Sequence, residues 1–351
     1  MTQKVFVGLS GGVDSAVSAA LLKERGYDVV GVFIKIWQPE FLECNWREER
    51  LDAMRVAAIL DIPFREVDLS AEYKKEVVDD MVRDYARGIT PNPDVLCNRH
   101  IKFGAFVAWA TEEGADHIAT GHYAQIRQRE GDFELLRGRD AEKDQSYFLH
   151  TLDQKQLGRA LFPVGALLKK DVREKARRLG LPQAEKPDSQ GLCFVGEVSM
   201  ADFLSRFIPL VPGPVLLNGS AIGEHQGAAL YTVGQRHGFL THRAPLPGPY
   251  YITRIDVSTN TLFVSLKRSD AARSSVSLER IHWISHERTL PLKACAQARY
   301  REQPVVTTLS KTPKGILATF EEPHIISPGQ SLVLYDAEVC LGGGIIAKSR
   351  L

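Results

Sequence analysis

Gly8-Leu9-Ser10-Gly11-Gly12-Val13-Asp14-Ser15-Ala16 (GLSGGVDSA, 8–16) is the stretch on which the reading of this 351-residue chain turns. It lies between a β-rich run, KVFVGL (4–9), and a helical stretch from Val13 to Arg25 that Gly26 stops. A glycine-rich turn between a strand and a helix is where a parallel sheet holds an anion. Gly11 and Gly12 let backbone approach a phosphate, Ser10 and Ser15 supply hydroxyls, and backbone N–H groups face the ligand. Asp14 can position a magnesium ion beside the phosphates. The loop is neither a G-x-x-x-x-G-K-[ST] phosphate loop nor a G-x-G-x-x-G dinucleotide fingerprint.

Working outward, the same alternation continues. DVVGVFIKIW (28–37) and FREVDL (64–69) read as buried strands, with helices over roughly 46–60 and 70–87 between and after them. A further helix spans about 98–113, and HIATGHYAQI (117–126) reads as one more strand. Strands alternating with helices of this length predict a doubly wound, parallel α/β sheet over residues 1–159. KKDVREKARRLG (169–180) and SMADFLSRFI (199–208) are helical, so 160–208 is expected to be a small central helical domain. The cluster PLVPGP (209–214) marks a boundary. Beyond it, 209–351 is a series of short apolar runs (YYITRID, TLFVSL, ACAQARY, VVTTLS, GILATF, SLVLYD), which predicts one or two small antiparallel β-barrels.

Composition narrows the function. The 44 basic and 43 acidic residues leave a net charge of +1. Residues 211–351 carry 15 basic groups against 10 acidic ones, and residues 1–210 carry 29 against 33. A basic rear on an acidic front is compatible with a polyanionic partner. No apolar run approaches the ~18 residues of a membrane span. The five cysteines, Cys44, Cys97, Cys193, Cys295 and Cys340, are odd in number and widely spaced, which excludes a disulfide framework. The amino terminus has no signal-peptide core, so the expected compartment is a reducing cytoplasm, where a disulfide is transient and catalytic.

Two cysteines have distinctive surroundings. TPNPDVLCN (90–98) sets Asp94 and Cys97 three residues apart, on the same side of a turn or helix start. A helix N-terminus lowers a thiol pKa, Asp94 opposes that, and a nearby carboxylate can serve as acid or base. A buried structural cysteine fits the local sequence equally well. KPDSQGLCFVGE (186–197) places Cys193 in a polar, glycine-bearing loop, poor surroundings for simple core. Cys295 and Cys340 lie in strand-like runs and are expected in the core.

Ser10-Gly11-Gly12-Val13-Asp14-Ser15 resembles the S-G-G-x-D-S signature of the PP-loop ATP pyrophosphatases. With it, TPNPDVLCN, ATGHYAQI (119–126), KDQSYFL (143–149), GLCFVGE (191–197), TVGQRHG (232–238), ARYR (298–301) and AEVCLGGGII (337–346) occur in order. Over essentially the whole chain the sequence is similar to bacterial tRNA-specific 2-thiouridylases. The resemblance implies adenylation of the wobble uridine of tRNA by ATP with Mg²⁺, followed by transfer of a persulfide sulfur. By resemblance Gly8, Leu9, Ser10, Gly11, Gly12, Val13, Asp14, Ser15, Ile34 and Gly121 bind ATP, and Asp14 the metal. Cys193 carries the persulfide, Cys97 attacks it or releases hydrosulfide from it, and Asp94 acts on the uracil. A Cys97–Cys193 disulfide results, which an external reductant reopens. Asn92, Pro93, Asp94, His122, Lys143, Asp144, Gln145, Arg299, Tyr300 and Gln330 are the implied tRNA contacts at the anticodon. A persulfide relay protein is the implied sulfur donor, and a monomer the implied state. Another PP-loop enzyme without a cysteine pair, or a non-catalytic tRNA binder, are the competing readings.

Overall fold

The computed structural model describes residues 2–41, 46–187, 199–242, 247–313 and 315–348. The front of the chain forms β1 (Lys4–Gly8), β2 (Asp28–Lys35), β3 (Phe64–Asp68), β4 (His117–Ala119), the hairpin β5 (Ala124–Arg129) and β6 (Asp132–Arg137), and β7 (Ala160–Leu161). The parallel sheet has the order β3-β2-β1-β4-β7. Val5, Phe6 and Val7 are fully buried, as a central strand covered on both faces requires. Phe6, Val30 and Val32 pack on one face with Val77, Val78 and Phe106. Val5, Val7, Val29 and Phe33 pack on the other with Ala16, Val17 and Ala20 of the helix Val13–Glu24.

The strand order reverses between β1 and β4, so the carboxyl ends of these two strands flank a crevice. This corrects one expectation. HIATGHYAQI is not a single strand: β4 stops at Ala119, Thr120 to Tyr123 turn across the crevice, and β5 leaves for another sheet. The β5–β6 hairpin pairs through Leu135 and Leu136 with the carboxy-terminal strand that holds Val339 and Cys340. Middle residues share the front's core: Val172, Ala176, Leu181 and Ala184 fill one face, and Phe203, Leu204 and Ile208 the other.

Two β-rich units follow. β8 (Gly213–Leu217), β9 (Ser220–His225), β10 (Tyr251–Asp256) and β11 (Thr261–Ser265) form a sheet in the order β10-β11-β8-β9. The β11–β8 pair is parallel, where an all-antiparallel arrangement was expected. β12 (Ala272–Trp283), β13 (Leu292–Gln297), β14 (Val305–Thr312), β15 (Gly315–Ile325), β16 (Ser331–Asp336) and β17 (Val339–Ile346) form an antiparallel barrel. Pairing of β12 with β17, from Leu278–Ile346 to Trp283–Gly342, closes it and removes its edges. Among the described residues no helix is long and apolar enough to cross a membrane.

His150 is buried where the front meets this barrel, its Nδ1 2.8 Å from the Tyr147 carbonyl oxygen. Burial pushes its pKa down to about 4. The folded chain therefore holds it neutral while the unfolded chain protonates it near its ordinary value of about 6.5. Its contribution is present above that value and is lost as pH falls toward 4. Urea unfolding should give a midpoint that declines from about pH 7 to about pH 5, and a flat midpoint would contradict this assignment.

Candidate active site

The loop after β1 is tightly built. Ser15 Oγ donates to the Gly12 carbonyl at 3.1 Å and accepts from Ser10 N at 3.3 Å. Gly11 has φ +73°, and a Cβ there would stand 2.8 Å from the Glu49 carbonyl oxygen, so the position demands glycine. Gly12 precedes the helix Val13–Glu24 and provides no side-chain cap, leaving the first-turn N–H groups toward the loop. Leu9 and Val13 point into the core, so only their backbones face the crevice. Ile34 Cδ1 lies 3.5 Å from where a Gly8 Cβ would be, which puts it beside the end of β1 that leads into the loop. Gly121 approaches closest of all. A Cβ there would be 2.7 Å from Ser15 N and 2.8 Å from Asp14.

Asp14 is held by side chains the sequence reading missed. Lys169 Nζ donates to both carboxylate oxygens at 2.7 and 2.8 Å, and Tyr123 OH donates to Oδ1 at 2.8 Å. Lys186 Nζ reaches the Gly11 carbonyl at 3.4 Å and Asp52 Oδ2 at 2.8 Å. The magnesium expected on Asp14 meets a carboxylate already neutralised by Lys169. Among the described residues no three His, Cys, Asp or Glu side chains converge as a metal site. These residues do not fit a metal held by the protein.

The second element is the helical run Pro93–Leu96, Cys97–Ala105 and Phe106–Glu112. Asn92 caps it, its Oδ1 accepting from Val95 N at 3.3 Å, and Pro93 takes the first helical position. Asp94 and Cys97 thus lie at the start of one helix, the second of the two possibilities (turn or helix start) their spacing allowed, and that helix begins earlier than the expected start near 98. Turns wider than α from Cys97 to Ala105 shift the helix face there. Cys97 is buried at the edge of the large front core. Burial raises the Asp94 pKa, and Lys102 opposes that in part. Phe106 and Phe103 seat this helix near Gly8 and His122.

Both β-rich units grip the segment before Asp94. Gln330 Nε2 donates to the Thr90 and Pro91 carbonyls at 2.8 and 3.0 Å, and Thr90 N donates to the Pro328 carbonyl at 3.1 Å. Thr90 Oγ1 lies 3.1 Å from Thr232 Oγ1. Arg299 Nη2 donates to the Val233 carbonyl at 2.8 Å.

The remaining expected tRNA contacts fall into two groups. His122 is buried against Phe103 and Phe162, 2.6 Å from Thr120 Oγ1, and burial holds its pKa well below the usual value. Asp144 accepts from Arg137, Gly138 N and Ser146 N, and Gln145 Oε1 accepts from Tyr123 N at 3.0 Å. These side chains are engaged inside the protein. Tyr300 is half-buried, with its ring 4.6 Å from that of Phe148, Arg301 over it, and Lys143 within electrostatic range. Cys193 and Cys44 lie outside the described residues. Cys340 is buried in the barrel, which pushes its thiol pKa up to about 12. The basic helix Lys169–Arg178 is largely paired within the protein, through Lys169–Asp14, Lys175–Glu24, Arg177–Glu185 and Arg178–Glu174.

Fold and site together define a PP-loop α/β protein in which the segment leading to the Asp94–Cys97 helix is clamped by two carboxy-terminal β units. Residues 3–197 match the family model of the tRNA methyl transferase HUP domain, 201–266 that of its PRC-barrel domain, and 273–346 that of the aminomethyltransferase beta-barrel domain. A tRNA-specific 2-thiouridylase MnmA of Ralstonia pickettii is 46% identical, covering 99% of this chain and 97% of its own. Those of Nitrosomonas eutropha and Burkholderia multivorans are each 45% identical, covering 99% and 98% of this chain and 99% and 93% of theirs. The chain belongs to the tRNA-specific 2-thiouridylase family.

Lys169→Met leaves the part-buried Asp14 carboxylate without its cation and should cost about 1–3 kcal/mol in urea unfolding. The double variant Asp14→Asn, Lys169→Met should lose less than the sum of the two single changes. Additive losses would show that the pair is not coupled.

Proposed function

We propose that this protein replaces the C2 oxygen of the wobble uridine of tRNA with sulfur, giving 2-thiouridine, AMP and pyrophosphate. The observation that carries this reading is the end-to-end similarity to relatives of that name, at about 45% identity. In this reading residues 1–159 bind ATP, 160–208 bring the second cysteine, and 209–351 hold tRNA.

ATP lies with its phosphates on the Ser10–Ser15 loop, its adenine toward Ile34, and the Gly121 turn closing the crevice. Gly8, Leu9, Gly11, Gly12 and Val13 act through backbone. Mg²⁺ enters only as the counter-ion that ATP carries. The uracil C2 oxygen is a poor leaving group until it attacks the α-phosphorus and pyrophosphate departs. Asp94 takes the N3 proton as that attack proceeds, a task suited to a carboxylate whose pKa burial has raised. A persulfide on Cys193 then adds its terminal sulfur to C2, and AMP leaves with the former C2 oxygen. Cys97 attacks the inner sulfur of Cys193 to form a disulfide, or frees hydrosulfide first with the same disulfide product. A relay protein supplies the persulfide and an external thiol reductant reopens the disulfide. Both are soluble partners of a cytoplasmic monomer.

The base leaves the anticodon stack to reach Asp94. Tyr300 and Lys143 face the RNA directly. Asn92 and Pro93 shape the base pocket, Arg299, anchored through Nη2, also meets the RNA, and His122, Asp144, Gln145 and Gln330 hold the surrounding backbone in place for it.

The deciding measurement is mass spectrometry of anticodon nucleosides after incubation with ATP, Mg²⁺ and a sulfur donor. Sulfur in place of oxygen at the wobble uridine is the expected product; a methylated nucleoside or none would overturn the reading. Cys97→Ser and Cys193→Ser should each abolish thiolation. With Asp94 as base, the rate should rise with pH through an inflection above the ordinary aspartate range of about 3.9. Asp94→Asn should remove that inflection and slow turnover by about 10²–10⁴-fold.

A further inference from the structure

A cavity of about 500 Å³ opens where the turn after Tyr231 meets the closed barrel, lined by Arg236, His237, Tyr251, Arg268 and Arg299 among others. Among the described residues no acidic side chain lines it. Guanidinium groups stay charged at any physiological pH, so three of them share this space as cations. Among the described residues none of the three has an ion-pair partner. This sets the cavity apart from the front, where Lys169, Lys175 and Lys186 each meet a carboxylate.

The cavity is built around Arg299. Its Nη2 donates to the Val233 carbonyl and, at 3.4 Å, to Ser327 Oγ. That fixes the guanidinium plane and leaves Nε and Nη1 without partners among the described residues. Gly234, with φ +86°, lets the turn lie against it: a Cβ there would be 2.8 Å from Ile325 Cγ2 and 3.4 Å from Arg299 Nη2. A pre-oriented planar fork beside two exposed arginines and a tyrosine ring suits a phosphate oxyanion flanked by a stackable base.

Position identifies the source of that phosphate. Thr232, on the cavity rim, is 3.1 Å from Thr90 through their hydroxyls. Thr90 is four residues from Asp94, at most about 14 Å along the chain. A strand that delivers a base to Asp94 therefore passes this rim with its backbone.

We infer that the cavity formed by Arg236, Arg268 and Arg299 binds backbone phosphodiester groups of the RNA strand next to the target nucleotide. This rests on the tRNA reading above. The experiment measures affinity of the full chain for unmodified tRNA as salt rises from about 0.05 to about 0.3 M. Arg236→Gln and Arg268→Gln remove exposed side chains and keep the fold, which thermal unfolding checks. Each should lower the slope of log affinity against log salt by about 0.7–0.9 and weaken binding about five-fold near 0.15 M. Arg236→Lys should keep the slope, and Lys311→Gln, removing an exposed charge from β14, should leave both quantities unchanged.

Unchanged slopes in both glutamine variants overturn the inference, as does an equal loss in Lys311→Gln, which would mean net charge alone. Loss of ATP affinity with tRNA affinity intact also overturns it, assigning the cavity to a nucleotide phosphate. If the unaltered protein fails to bind tRNA at all, the tRNA reading itself falls, an outcome distinct from the others.

Discussion

Where the strand order of the parallel sheet reverses, Gly121 lies so close to the first turn of the helix Val13–Glu24 that no side chain fits between them. That contact decides the geometry around it. It brings the carboxyl ends of β1 and β4 together, turns the chain at Thr120 to Tyr123, and aims Tyr123 at Asp14. Asp14 in turn fixes Lys169 and with it the start of the helix Lys169–Arg178. A side chain at position 121 would separate the loop from the turn. The glycine therefore serves close approach here, since its own backbone angles are unexceptional.

A second constraint sits on the other side of the crevice. The segment Thr90–Asn92 carries no regular structure, and the Thr90 and Pro91 carbonyls need donors from outside it. Gln330 supplies two of those bonds from the barrel, and Pro328 accepts from Thr90 N. The helix bearing Asp94 and Cys97 is thus positioned from the rear of the molecule. A residue read as an RNA contact acts here on the protein's own backbone. Anything that shifts the barrel against the front therefore shifts this helix too.

The parts of the fold legible in the sequence are those fixed locally. Runs such as KVFVGL and DVVGVFIKIW are apolar throughout because both faces of their strands are covered, and the SGGVDS turn follows from its glycines. The helix expected from about 98 begins at Pro93 instead, because Asn92 caps it and Pro93 fits its first turn. The illegible parts are set by partners distant in sequence. ATGHYAQI has strand-like composition on both sides of Gly121, and only packing against Ser15 breaks it. The parallel β11–β8 pair and the β6–β17 pair join segments whose own patterns fit other neighbours equally. KKDVREKARR reads as a solvated or RNA-facing helix, yet Lys169 and Lys175 find Asp14 and Glu24 across the fold.

These pairings change what the charge balance means. A net charge of +1 suggests a surface with no preference for polyanions. In the front half, however, the basic side chains nearest the crevice are spent on carboxylates, so their field is largely cancelled a few ångströms away. Among the described residues Arg236, Arg268 and Arg299 have no such partners, and they line a common cavity. Field strength at a surface depends on uncompensated charge and on the concavity that focuses it, more than on totals. A chain nearly neutral overall can therefore present a positive site beside the segment leading to Asp94, while its phosphate loop stays a small, internally balanced pocket. Among the described residues the fold thus keeps its ion-paired cations beside the phosphate loop and this unpaired set in a separate cavity, a division that the proposed nucleotide and RNA sites would each require.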